Sequence, residues 1–317
     1  MGSRAQDPGD PQGEGPRWQG LGCGEPGNAA GVDVRIAFIT DTHLGGTAEG
    51  FQQQPRWVGG LGVLMDRLKK WMDAQRVDVL IHGGDVVDHG TADEIRQGCA
   101  MLAALDRPVI VCMGNHDLMT EASWEYWQRE YPRHARLALA RRELGTDTCD
   151  VLALNNHWIV AGEQRMFWDG QKPVPCLTAS QLEDVAAWLA RDALRPAIVV
   201  AHAPITALPP ELTGKESPME DVPLEYARAL GAVLQGARRP VLLLGGHCHV
   251  TYARRAGAWL TTTSAFGEPP FQVRLIEVGQ GRIRMTTHSL AHGNEPVQMD
   301  PGKRWTAGRS CDCQVQI

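Results

Sequence analysis

Five short runs of Val, Ile and Leu, each ending near an aspartate, asparagine or histidine, constrain this chain more than any other feature. Residues 34–40 lead into Asp41-Thr42-His43, 77–82 into Gly84-Asp85-Val86-Val87-Asp88, and 109–113 into Gly114-Asn115-His116-Asp117. Further on, 197–201 lead into His202-Ala203-Pro204, and 241–244 into Gly246-His247-Cys248-His249. Short apolar runs bounded by Gly, Pro or Asp are the pattern of strands buried on both faces. Amphipathic helical patterns separate them. Trp57, Leu61, Leu64, Met65, Leu68, Trp71 and Met72 recur at helical spacing opposite Asp66, Lys69, Lys70 and Asp73, which predicts a covering helix. Ser180 and Glu183 stand at capping-box spacing before a stripe of Leu182, Val185, Ala186 and Leu189, which predicts another. Residues 259–264, 271–278 and 282–288 read as successive strands and suggest a second sheet packed on the first. The alternation is that of an α/β protein, and its polar residues gather where open α/β sheets keep their ligand sites, at strand ends.

A chain of 317 residues suits one large α/β domain with tails. Residues 1–32, crowded with Gly and Pro, are expected to be a disordered tail, because they cannot bury enough surface to offset ordering entropy. Residues 293–317, polar and aperiodic, are expected to be a second tail, leaving 33–292 as the domain. The 43% hydrophobic and 21% charged fractions are those of a soluble globular protein. A net charge of −6 gives no basic excess to hold a polynucleotide by counterion release, which disfavours nucleic acid as partner. No secretory signal or bilayer-spanning run is legible, so a cytoplasmic protein without membrane partners is expected. The eight cysteines form no C-x-x-C pair and are expected to be reduced. Nothing in the pattern fixes an oligomeric state.

Taken singly, each polar block also suits a capping aspartate or a satisfied core histidine. In an extended segment residues two apart face one side, so Asp41 with His43, and His247 with His249, can each reach one ion while Thr42 and Cys248 turn away. Taken together, the ordered series D-x-H, GD, GNHD, H and GHxH resembles the calcineurin-like metallophosphoesterase superfamily over roughly residues 34–288. The resemblance implies a four-layer α-β-β-α sandwich, two mixed β-sheets flanked by helices, with a dinuclear metal site at strand ends. It implies one ion held by Asp41, His43 and His249, another by Asn115, His202 and His247, and Asp85 bridging both. Nitrogen and oxygen donors without thiolate suit Mn, Fe, Zn or Co, where Mg or Ca would want oxygen alone. Two divalent ions offset by Asp41, Asp85 and a hydroxide leave a small positive charge, which the neutral Asn115 preserves and which attracts a phosphate. Water activated by such a pair attacks phosphorus in line. The expected activity is hydrolysis of a small nucleotide-like or other phosphodiester.

Within the resemblance His116 is the general acid that protonates the leaving oxygen. Asp88 either orients that imidazole or caps the helix beginning near Thr91. His89 stands where Ser/Thr protein phosphatases of the superfamily carry a phosphate-binding arginine, which argues against that subclass. The style of the blocks is nearest to bacterial class III cyclic-nucleotide phosphodiesterases, although Ala201-His202-Ala203-Pro204 lacks the paired histidines those enzymes often show. Alternatives are a nucleotide diphosphatase of the ADP-ribose/CDP-alcohol type, a broad phosphomonoesterase, a repair-type nuclease, and a non-catalytic scaffold of the kind that has lost its ligands. Residues 45–55, 164–176 and 204–222 are long enough to form a substrate wall. In the second of these, Phe167-Trp168 can stack on a base or serve as a hydrophobic plug.

Overall fold

The computed structural model describes residues 31–49, 53–131, 138–139, 148–191, 195–220 and 222–317. Most of the expected amino-terminal tail, with Cys23 and His134, lies outside the described residues. In chain order the first half runs β1 (Val34–Ile39), α1 (Leu61–Gln75), β2 (Val79–His82), α2 (Ala92–Ala103), β3 (Val109–Val111), α3 (Ser123–Glu130), β4 (Ala138–Leu139), β5 (Asp150–Ala153), β6 (His157–Val160), β7 (Glu163–Arg165) and β8 (Pro175–Cys176). The second half runs α4 (Ala179–Leu189), β9 (Ala197–Val200), α5 (Pro210–Thr213), α6 (Leu224–Gln235), β10 (Val241–Gly245), β11 (Tyr252–Ala256), β12 (Ala258–Thr262), β13 (Gln272–Gly279), β14 (Arg282–Ser289) and β15 (Gln314–Gln316).

Two six-stranded mixed sheets result, in the orders β15-β14-β13-β1-β2-β3 and β11-β12-β10-β9-β5-β4, with a small β7-β6-β8 sheet beside them. The alternation of side chains along each central strand decides the layering. Val34, Ile36 and Phe38 of β1 meet Ile198 and Val200 of β9 and Leu242 and Leu244 of β10 between the sheets. Ala37 and Ile39 turn the other way, onto Leu64, Leu68 and Met72 of α1. In the second sheet Val199 and Leu243 face outward, onto Val185 of α4 and Leu230 of α6. Each strand is therefore buried on both faces, which is why its sequence is apolar throughout rather than alternating. Helix, sheet, sheet, helix is the order of layers. Full burial of one such side chain, Phe38 for example, contributes about 1.5–3 kcal/mol.

Three features differ from the sequence reading. The later strands do not form a sheet of their own: β11 and β12 complete the second sheet, whereas β13 and β14 pair onto β1 in the first. Apolar pattern marks a strand, but its neighbours are chosen by chain path. The segment 293–317 is no tail. β15 pairs with β14 and buries Val315, while Asp312, also buried, binds Arg309 and takes the Ala253 N–H. Three residues with one apolar side chain are too short to show a period. The helix near Ser180 is capped two residues earlier, by Thr178, whose side chain and that of Gln181 form the reciprocal box. Among the described residues no helix is long and apolar enough to cross a membrane.

Candidate metal centre

β1, β2, β3, β9 and β10 all deliver their carboxyl ends to one rim, and the five polar blocks meet there. The local backbone is not extended. Asp41, His43, Asp85, His247 and His249 have φ of 56°, 45°, 53°, 69° and 54°, left-handed values uncommon for residues with a Cβ. Period-two alternation therefore fails as the reason for their convergence, and tight left-handed turns aim the side chains instead. Such strain costs of order 1–3 kcal/mol per residue and gathers at functional sites. Glycines make the crowding possible. A Cβ on Gly114 would lie 2.1 Å from Asp85 Oδ1, and one on Gly246 would lie 2.1 Å from Thr40 Oγ1 and 2.4 Å from Asp41 Oδ2.

Potential donors collect in three groups, each with ligand atoms mutually within 4.8 Å. One, of His43, Asp88 and His116, shares His43 with the first of two adjoining groups; Asp41, His43 and His249 form that first group, and Asp85, His202 and His247 the second. Asn115 Oδ1 lies 2.9 Å from His247 Nδ1 and so joins the second. Asp85 stands between them, its Oδ2 3.6 Å from His43 Nε2 and 3.1 Å from His202 Nε2. Its other oxygen accepts the His116 N–H at 2.8 Å. Asp41 Oδ1 lies 3.3 Å from His249 Nε2 and 3.7 Å from His43 Nε2.

The donor set accommodates cations on its own chemistry. His43 Nδ1 donates to Asp88 Oδ1 at 2.7 Å and His249 Nδ1 to Glu268 Oε1 at 2.9 Å. Both Nε2 atoms then face each other across 3.2 Å. Only a cation among these donors relieves that opposition, a proton in the ion-free protein and a metal ion in the loaded one. The titration behaviour follows the same logic. Burial pulls His249 down, but Glu268 and Asp41 overcome it and push the imidazole up to about 10. Burial likewise opposes, and Asp85 and Asp41 outweigh, a rise of His202 to about 9. His247, where burial and the neighbouring His202 dominate, falls to about 3. Burial raises Asp41, yet His249, His43 and His202 hold its carboxyl well below the ordinary range.

His116 is buried beside this centre, its ring 4.7 Å from that of His43. Its Nδ1 donates to the Asp88 backbone carbonyl at 2.7 Å, and the Asp88 carboxylate is 3.9 Å away. Asp88 thus touches His116 chiefly through its main chain and gives its carboxylate to His43 and, at 3.3 Å, to Arg56. It does not cap α2, which Thr91 caps by accepting from the Glu94 N–H. Trp168 is buried in a hydrophobic cluster with its ring 5.0 Å from that of His116, so it is a hydrophobic plug beside the centre and not an open stacking platform. His89 is half exposed and bonded to Glu94 at 2.9 Å. Cys248 is a buried thiol, pushed up to about 12 by burial.

Two supporting carboxylates were not singled out from the sequence. Glu268, 1% exposed, backs His249. Its one signal is that it is the single charged residue between Arg255 and Arg274. Asp117, fully buried, accepts the N–H groups of Val86, Val87 and Gly114 and so ties the Asp85 loop to the Asn115 loop. Burial and the neighbouring Asp85 raise it to about 7. It was visible inside Gly114-Asn115-His116-Asp117, but only the fold shows what it holds.

A sandwich of two mixed sheets carrying clustered histidines, aspartates and an asparagine on one rim defines the class of dinuclear metallophosphoesterases. The calcineurin-like phosphoesterase profile matches residues 34–251, and the chain belongs to that family. Its fold is shared with a dimetal phosphatase from Danio rerio, 15% identical at a TM-score of 0.61, covering 82% of this chain and 97% of that one. It is shared too with a purple acid phosphatase from yellow lupin (Lupinus luteus) seeds, 14% identical at 0.52, covering 84% of this chain and 52% of that one. A Thermus thermophilus structure aligns at 10% identity and 0.51, over 81% of this chain and 99% of that one. No curated protein sequence matches.

Proposed function

We propose that the chain is a dinuclear-metal phosphodiesterase acting on small phosphodiesters, with Asp41, His43 and His249 holding one ion, Asn115, His202 and His247 the other, and Asp85 both. The observation that carries this is the place of Asp85 Oδ2, within 3.6 Å of a histidine of one group and 3.1 Å of a histidine of the other. The ions, Mn, Fe or Zn by donor type, would supply an activated water and clamp the phosphate oxygens. The chain's own residues do the rest. His116, with Nδ1 committed to the Asp88 carbonyl, presents Nε2 for proton transfer to the leaving oxygen. Asp88 fixes the His43 ring, and Trp168 packs its ring beside that of His116.

A diester fits better than a monoester because the nearby cationic side chains are already engaged. Arg56 is paired to Asp88, and His89, where a protein phosphatase would place its arginine, is bound to Glu94. A monoester dianion would gain little from either. The test is a comparison of leaving groups in manganese-loaded protein. His116→Ala should keep its metal and lose about 10²- to 10⁴-fold on alkyl diesters, with a much smaller loss on bis-nitrophenyl phosphate, whose phenolate departs unaided. Equal losses would make His116 a phosphate-positioning group, and faster turnover of matched aryl monoesters would replace the diesterase assignment with a monoesterase.

A further inference from the structure

Residues from three segments that follow ligand strands or precede β8 line a cleft of about 180 Å³ beside His247. Its apolar walls are Pro173, Pro175, Pro204, Val222 and Pro223. Pyrrolidine rings fix their own φ, which restricts the backbone at four positions of these walls. Pockets that enclose a whole small-molecule ligand run to about 300–1,000 Å³, so a cleft of this size takes a fragment whose remainder lies elsewhere. His247 in its wall makes the metal centre that elsewhere.

Three polar groups line the same space: the Gln53 amide, the Lys172 ammonium and the Glu220 carboxylate. Gln53 is only 7% exposed, yet among the described residues neither its amide nor the Glu220 carboxylate makes a hydrogen bond or ion pair within the protein. The Gln53 amide, without a partner among the described residues and reached from the cleft, can bond a ligand there. Glu220 is held at φ 59°, a left-handed value that any residue with a Cβ resists and that here sets its side chain on the cleft wall.

Charge then selects the class of fragment. Glu220 repels an anion, while Lys172 repels a cation, as would the ions held at the adjoining centre. A neutral group rich in hydroxyls satisfies every partner. Its O–H groups donate to the Glu220 carboxylate and the Gln53 carbonyl, and its oxygens accept from the Gln53 amide and Lys172. Adjacent hydroxyls on a carboxylate are how dinucleotide sites hold a ribose. The C–H face of such a group packs on the prolines. We infer that this cleft binds a neutral vicinal-diol group, of glyceryl or ribosyl size, esterified to the phosphate at the metal centre. The location of that phosphate rests on the function proposed above.

Binding separates this inference from the hydrolysis it accompanies. The monoglyceryl and monopropyl esters of methylphosphonate differ only in the diol, and neither needs turnover to be read. By calorimetry on manganese-loaded protein, the glyceryl ester should bind at least about tenfold more tightly, the worth of one to two hydrogen bonds. Glu220→Ala and, separately, Gln53→Ala should shrink that preference, Glu220→Ala to near unity, with manganese content measured in the same samples. Equal affinity of the two esters in the unaltered protein, or a full preference surviving in Glu220→Ala, overturns the inference. Failure to hydrolyse any diester, with the glyceryl preference intact, counts against the phosphodiesterase and leaves the diol cleft standing.

Discussion

The two halves of the candidate centre each hold an aspartate and two histidines but are supported differently. In the half containing Asp41, both imidazoles are backed by carboxylates, His43 by Asp88 and His249 by Glu268. In the other half His202 donates to the Gly83 backbone carbonyl at 2.9 Å, and among the described residues no carboxylate stands behind His247, whose Nδ1 lies 2.9 Å from Asn115 Oδ1, itself a proposed ligand. Carboxylate partners raise the basicity of a ligating imidazole and neutral carbonyls do so less. On the proposed assignment, the first half would hold its ion more tightly, and the second half, which adjoins the cleft, would leave its ion more electrophilic.

The largest effect that can break this comparison comes from the residue shared by both halves. Asp85→Asn should cost both ions and lower turnover by more than about 100-fold, beyond what loss of a supporting partner costs. Full activity in metal-free Asp85→Asn protein would end the binuclear reading. Next in size, Glu268→Gln should weaken the first ion alone by about 10- to 100-fold, the usual worth of such a partner. Equilibrium dialysis with metal analysis reads both sites, and equal weakening of the two ions would refute the asymmetry. Stepwise chelation of the unaltered protein sharpens the same point: one ion per chain should leave well before the other, and simultaneous loss would contradict it.

A smaller effect is expected when the difference is narrowed. Asn115→Asp adds a carboxylate to the second half, which should tighten that ion by about an order of magnitude and raise KM for an anionic diester as the positive charge of the centre falls. The smallest change in the ratio of the two affinities should come from Asp117→Asn. Asp117 braces the Asp85 and Asn115 loops together, so its loss should destabilise the protein by about 1–3 kcal/mol, read by denaturant unfolding, while moving both affinities alike. A selective change at one ion would show that Asp117 serves one half only.

The sequence alone determined the central strands, the covering helices α1 and α4 and the residues at the rim, because each leaves a local mark. A strand buried on both faces must be apolar throughout, and a ligand loop at its end must be polar and glycine-bearing for the chains to approach. Residues 34–39, 79–82, 197–200 and 241–245 were legible for that reason. Tertiary structure alone decided which sheet β13 and β14 joined, that residues 314–316 formed an edge strand, and that Glu268 stood behind His249. It also decided that Asp88 spent its carboxylate on His43, and that Gln53, Lys172 and Glu220, more than a hundred residues apart from first to last, lined one cleft. Strand order, a supporting carboxylate and a cleft wall are made by contacts between distant segments. No spacing rule records such contacts, so only the packed chain shows them.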